Sequence, residues 1–227
     1  MTRSRTAMAV YLAVLAVVVY VLMWVGYSRN WGWLHWIDWS SLNASHDVAV
    51  KHPAWVRFWD AVSFWLGPDP LRLLDTVAAV VALLRRNVRA ALLLVACGML
   101  NGFVSLAAKG LANRPRPSTM LVPVPQTSFP SGHAFETMAG WLALLAFVVP
   151  MMSWAMRRAA IAVGALCVVL VGISRVTLNV HYPSDVVAGW ALGYLYVLVC
   201  LAVLRPKPVA RWVFHWSQRR DPTGAKA

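Results

Sequence analysis

Long apolar runs decide what this chain can fold into. Predominantly apolar residues fill 8–26, 71–84, 90–108, 130–152, 159–173 and 186–204, most of them close to the ~20 residues a helix needs to cross a bilayer. In hydrocarbon every backbone polar group must be satisfied internally, which leaves helices or closed barrels. Of the 227 residues 60% are hydrophobic and 13% charged, against roughly 45–50% apolar in soluble domains. The expectation is all-α: one polytopic membrane domain over 1–227, built as a six-transmembrane-helix bundle. The 71–84 run is short for a span unless Asp75 lies near the membrane surface. Arg3 and Arg5 precede the first run as in a signal peptide, but residues 27–30 offer no small-residue cleavage site, so the run reads as a retained first span. Cys97, Cys167 and Cys200 sit in apolar runs without metal or CxxC spacing and read as small buried hydrophobes.

Between the first two spans, residues 31–70 mix Trp31, Trp33, Trp36, Trp39, Trp55, Trp59 and Trp65 with Asp, His and Lys. Tryptophan favours the headgroup level, so this part is expected to be an interfacial segment. Val48, Trp55, Trp59 and Val62 fall at helical spacings, predicting an amphipathic helix interrupted or entered at Pro53, with an irregular Trp-rich loop as the alternative. His35, His46, His52 and His215 lack any partner pattern and read as interfacial or loop residues.

The cations set the orientation. Six spans place 13 of the 21 Lys and Arg residues on the side of the termini, including the basic tail 205–227, and 8 on the other. Excess cations stay cytoplasmic. Both termini are therefore expected inside a cytoplasmic (inner) membrane, and the net charge of +13 reads as a topology signal rather than a nucleic-acid footprint. The segments after the third and fifth spans and before the fourth and sixth then share the extracytoplasmic side.

Those segments carry the chemistry-bearing residues, within core motifs at 109–185. They hold Lys109, Arg114, Arg116 and Arg175 as cations, His133 and His181 as titratable groups, and a helix start at Ser131-Gly132 with free N–H groups. Cations around a helix amino terminus make an anion site, and the guanidinium fork suits phosphate oxygens. His181 and Asp185 are four apart, the spacing that lets them meet if a helix begins near Pro183, a favoured first position. A carboxylate beside a histidine fixes its tautomer and stabilises its cation. No HExxH, paired carboxylates or DxD-like cluster appears, so the site is expected to need no metal and no other cofactor. Phosphoryl transfer then requires a nucleophile, an acid and positive charge around the oxygens. Two histidines in a cationic cradle suffice. The residues alone do not say which attacks, but Asp185 gives His181 the better claim.

Lys109 with six residues before Arg116-Pro117, then Pro130-Ser131-Gly132-His133, then Ser174-Arg175 with five residues before His181 and three more before Asp185, resembles the three-part signature of the type 2 phosphatidic acid phosphatase (PAP2) superfamily. The resemblance implies that His181 forms a phosphohistidine, with Asp185 as its partner and His133 as acid and later base. It implies that Lys109, Arg116, Ser131, Gly132 and Arg175 hold the phosphate. Arg114 matches no defining position and reads as a rim or headgroup contact. Glu136, one turn after His133, is a candidate substrate contact, being ionisable at membrane depth. Ser174 reads as a cap of the fifth helix.

The expected activity is hydrolysis of a membrane lipid phosphate or diphosphate, of the undecaprenyl diphosphate or phosphatidylglycerol phosphate type. A lipid phosphotransferase using the same intermediate is one alternative, and a non-catalytic lipid-headgroup binder or transporter another. A vanadium haloperoxidase shares the cradle but is expected to be soluble. The loop 118–129 reads as a flap, a lipid guide or a plain connector.

Overall fold

The chain folds into helices joined by short turns and one long loop; the computed structural model describes residues 3–205, and the expected basic tail lies outside them from 206 onward. Among the described residues the α-helices are α1 (Arg3–Ser28), α2 (Gly32–Ala49), α3 (Pro53–Trp65), α4 (Pro68–Leu84), α5 (Val88–Gly98), α6 (Asn101–Ala112), α7 (Gly132–Val148), α8 (Trp154–Thr177) and α9 (Pro183–Leu204). Their starts follow local chemistry. Proline opens α3, α4 and α9, where its missing N–H would have had no helical partner. The Asn87 side chain accepts from Ala90 N at 3.2 Å at the start of α5. Asn113, at φ 47°, ends α6 in the left-handed region, which asparagine tolerates better than most residues.

Among the described residues, five stretches are long and apolar enough to cross a membrane: Ala7–Ser28, Val88–Ala112, Gly132–Met151, Trp154–Thr177 and Pro183–Leu204. The sequence reading expected six. The difference is α4, whose 17 residues rise only about 25 Å. The third expected run is two helices, α5 and α6, broken at Met99-Leu100. The fifth extends past Ile173 to Thr177, so Ser174 is no cap; its Oγ donates to Val171 O at 2.6 Å inside the helix. The Trp-rich segment is two helices with the second entered at Pro53, rather than a loop.

Packing centres on α7 and α9. A Cβ on Gly189 would lie 2.7 Å from Ser131 O, and one on Gly193 would lie 2.7 Å from Phe135 O. Only glycine lets the two backbones come this close, the small-residue packing that joins helices in lipid. Buried alanines of α4, α5 and α7 with Leu93, Leu94, Phe147 and Val197 fill the interior behind this contact. At the other end of the molecule, Tyr20, Trp24 and Tyr27 of α1 surround Phe129, with ring centroids 5.6–6.3 Å apart. The helices α2 and α3 lie across that same end: Asn179 Nδ2 donates to Leu42 O at 3.1 Å and Arg175 Nη1 to Ser63 Oγ at 2.7 Å.

Gly189→Val should therefore force α7 and α9 apart, an overpacking that costs roughly 1–3 kcal/mol. A lowered melting temperature in detergent is the expected result; an unchanged one would show that the close approach bears no load.

Candidate active site

The end of the bundle covered by α2 and α3 gathers the polar motifs. A cavity of about 310 Å³ is lined by Lys109 of α6, Arg116, Gly132 and His133 at the start of α7, Arg175 near the end of α8, and His181 just before α9. Arg72, Asp69, Ser105, Glu136 and the loop residues Val124, Pro125 and Gln126 complete the wall. Three separate segments of the chain thus supply one cationic pocket holding two histidines.

Its loop is tied down by the cations themselves. Arg116 donates to Gln126 O at 3.0 Å, Pro125 O at 3.1 Å and Val180 O at 2.6 Å. Lys109 Nζ donates to Thr127 O at 2.6 Å, and Leu121 N to Leu178 O at 3.1 Å. Residues 124–126 of the segment 118–129 are therefore a wall of the pocket, anchored through backbone acceptors at 125–127.

His181 is held on both ring nitrogens. Arg116 Nη1 lies 3.2 Å from Nε2; a guanidinium only donates, so Nε2 carries the lone pair and the proton sits on Nδ1. Nδ1 is 3.3 Å from Ser128 Oγ and 3.5 Å from Asp185 Oδ2, and Ser128 Oγ donates onward to Asp185 Oδ2. The chain Nδ1–H to Ser128 to Asp185 fixes one tautomer, as an acid beside a histidine does in general. Pro183 at the first turn of α9 provides the four-residue spacing. Asp185, fully buried, also accepts from Tyr182 N at 3.0 Å and from Arg114 Nη1 at 2.7 Å.

The remaining expected residues divide. Gly132 lines the pocket, where a Cβ would approach Ser105 Oγ to 3.0 Å. Ser131 sits just behind: its N–H donates to Asp185 O at 2.9 Å, while its buried Oγ has no hydrogen-bond partner, and neither does Arg175 Nε. His133 lines the pocket and its ring makes no hydrogen bond among the described residues. Glu136 faces the pocket but pairs with Arg72 Nη2 at 2.5 Å, and Arg72 Nη1 pairs with Asp69 at 2.6 Å. Arg114 is not in this lining. It is buried between Asp185 and Asp38, and although burial opposes its charge, those two carboxylates outweigh it and raise its pKa.

Ser128, Asp38, Ser63 and Arg72 were not singled out from sequence. Ser128 lies two residues before Pro130, and adjacency to a motif was its only cue. Asp38 is one of 8 acidic residues in the chain, and that scarcity was its signal. Arg72 counted only toward the charge balance.

Burial pushes the His181 imidazole down to about 3, with Asp185 pulling the other way and Arg175 and Arg116 adding to the fall. The folded ring is thus neutral, whereas in the unfolded chain it protonates near its ordinary value of about 6.5. Between those values the unfolded state binds the extra proton, so this residue's contribution to stability is complete above about pH 6.5 and is lost as pH falls toward about 3. Melting temperatures in detergent from pH 7.5 to pH 4.5 should drop less steeply for His181→Asn than for the natural chain; parallel curves would argue against a neutral buried ring.

Comparison with known proteins bears on the same region. Residues 90–208, more than half of the chain, match the model of the PAP2 superfamily. An undecaprenyl-diphosphatase of Sulfolobus acidocaldarius is 41% identical over 78 residues, 34% of each chain. Phosphatidylglycerophosphatase B of Bacillus subtilis is 41% identical over 71 residues, 30% of this chain and 34% of that one. Decaprenylphosphoryl-5-phosphoribose phosphatase of Mycobacterium tuberculosis is 34% identical over 95 residues, 40% of this chain and 48% of that one. The matches span about a third to a half of these relatives' length. The crystal structure of a transmembrane PAP2-type phosphatidylglycerolphosphate phosphatase from Bacillus subtilis superposes with a TM-score of 0.73 at 23% identity, over 85% of this chain and 96% of that one, a likeness of fold.

Proposed function

Because the chain belongs to the PAP2 superfamily, we propose that it hydrolyses a phosphate or diphosphate carried by a membrane lipid, without a metal, through a phosphohistidine on His181. The observation that carries this reading is the convergence of Lys109, Arg116 and Arg175 with His133 and His181 on one cavity. The orphaned Arg175 Nε and Ser131 Oγ beside it are groups an anion's oxygens would satisfy. The carboxylates in the lining, Asp69 and Glu136, both face Arg72, which leaves the pocket's chemistry to its cations and imidazoles.

The ring state of His181 defines the steps. Nε2 attacks phosphorus, the N–P bond forms, and the P–O bond to the lipid breaks with its oxygen taking a proton from His133. The proton on Nδ1 stays on the ring, and Asp185 balances the positive phosphohistidine. Water then attacks phosphorus, giving its proton to His133; the new O–P bond forms as the N–P bond breaks, its electron pair returning to Nε2, and phosphate is released. Lys109, Arg116, Arg175 and the N–H groups of Gly132 and His133 hold the transferring oxygens, a role in which losing one donor costs on the order of 10²–10³ in rate.

The membrane frame supports a lipid substrate. Arg72 near the start of α4 lines the same pocket as Lys109 near the end of α6. α4 therefore runs from the site end to the far end, and α5 with α6 returns. With α4 counted as a sixth, short crossing and the cation excess taken as the cytoplasmic marker, we read both termini as lying on the cytoplasmic side of an inner membrane, the pocket on the extracytoplasmic side, and α2 and α3 along the interface. The relatives' substrates favour an isoprenoid diphosphate or phosphatidylglycerol phosphate as the class.

Purified protein with chelator present should release phosphate from undecaprenyl diphosphate or phosphatidylglycerol phosphate, and His181→Ala should abolish release while its melting temperature shows a folded protein. Undiminished release by that variant, or strict dependence on added divalent metal, would refute the mechanism. Transfer of the phosphoryl group to a lipid acceptor in place of water would make the protein a phosphotransferase.

A further inference from the structure

The Trp-rich segment reaches the centre of the site through one carboxylate. Asp38 of α2 is 1% exposed. It accepts from Ser184 N at 3.0 Å, Ser184 Oγ at 2.6 Å and Arg114 Nη2 at 2.8 Å. Arg114 continues the chain, its Nη1 donating to Asp185 Oδ1 and Ser184 Oγ, both at 2.7 Å. Its guanidinium carbon lies 3.8 Å from the Tyr182 ring centroid and 4.8 Å from that of Tyr27. Arg114 borders a separate cavity of about 460 Å³ between the end of α1 and α2, while the phosphate pocket is lined without it.

A buried carboxylate that loses its partner neutralises or turns to another donor. Here one guanidinium lies between two such carboxylates, each of its terminal nitrogens donating to one of them, which holds both in place. The fork is directed by two rings as well as two anions, which leaves Asp185 one orientation.

We propose that Asp38 and Arg114 are positioning residues for the nucleophile: Asp38 holds Arg114, Arg114 holds Asp185 as an anion in a single orientation, and Asp185, through Ser128, keeps the His181 lone pair at Nε2. The kinetic consequence rests on His181 being the attacking group; the ring state does not. The segment between the first and second spans is then part of the site, and Arg114 acts through Asp185 rather than on the substrate.

The test uses full-length protein in detergent micelles with ¹⁵N-labelled histidine, the His181 signals being identified by their loss in His181→Asn. The natural chain should show His181 with Nδ1 protonated and Nε2 bare. Asp38→Asn and Arg114→Gln should lose that single tautomer. With farnesyl diphosphate or a short-chain phosphatidylglycerol phosphate as substrate, kcat should fall ~10- to 100-fold, as when the support of an oriented imidazole is removed. Inhibition by inorganic phosphate should stay nearly unchanged, and Arg114→Lys should recover part of kcat. An unaltered tautomer in the folded variants would overturn the proposal, and so would a raised KM with kcat retained, which would make Arg114 a headgroup contact. If the tautomer shifts but no lipid releases phosphate even with the natural chain, the positioning chain stands and the hydrolase reading falls. Should Arg114→Gln fail to fold, Asp38→Asn, an isosteric change that leaves Arg114 in place, decides the matter.

Discussion

A carboxylate with no access to water holds the site together. Asp185 is fully buried, and burying an anion without donors is far too unfavourable to survive folding. Its oxygens accept from Arg114, Tyr182 N and Ser128 and face His181. Its backbone carbonyl accepts from Ser131 N. Each donor comes from a different part of the chain: the turn after α6, the loop before α7, and the lead-in to α9. Satisfying one anion therefore brings the three polar motifs into register. The glycines of α9 that admit the α7 backbone begin one turn further along, so the same stretch sets both the chemistry and the helix contact.

Much of this was legible in the residues. Apolar run length marks helices in lipid directly, because the bilayer offers the backbone no alternative partner. The run ending at 204 and the one beginning at 130 were placed to within a few residues of α9 and α7. The His181 and Asp185 spacing with Pro183 between them is a local pattern, and the helix does start there. What escaped were contacts with no local signature. Asp38 meets Ser184 across 146 positions, and Ser63 meets Arg175 across 112; neither periodicity nor spacing encodes such pairs. The break at Met99-Leu100 escaped for another reason. Neither side chain disrupts a helix, and the break is visible only in the backbone. Arg114 reads as a ligand because it lies next to a phosphate motif, and its two buried counterions, Asp38 and Asp185, have no local signature.

The bilayer explains the unusual surface. Leu73, Val77, Val80 and Leu84 of α4 and most of the apolar side chains of α1 lie exposed, a pattern that in water would mark a sticky patch and in lipid is simply the outside. Interior positions go to alanines and glycines, to a limited set of large apolar side chains such as Leu93, Leu94 and Phe135, and to polar groups around the site. Hydrophobicity thus separates protein from water at the membrane ends only, and close packing and polar pairing specify the arrangement within.

Arg116 has a double position: it clamps the loop wall, and it points an N–H at the bare nitrogen of His181. The Nε2 lone pair of His181 is thereby engaged by a cation. A neutral electrophile entering the pocket offers that cation nothing in exchange. An anion does, drawing the N–H onto its own oxygen and uncovering the nitrogen in the same movement. With His181 as the proposed attacking group, discrimination between charged and uncharged visitors is built into the attacking atom itself.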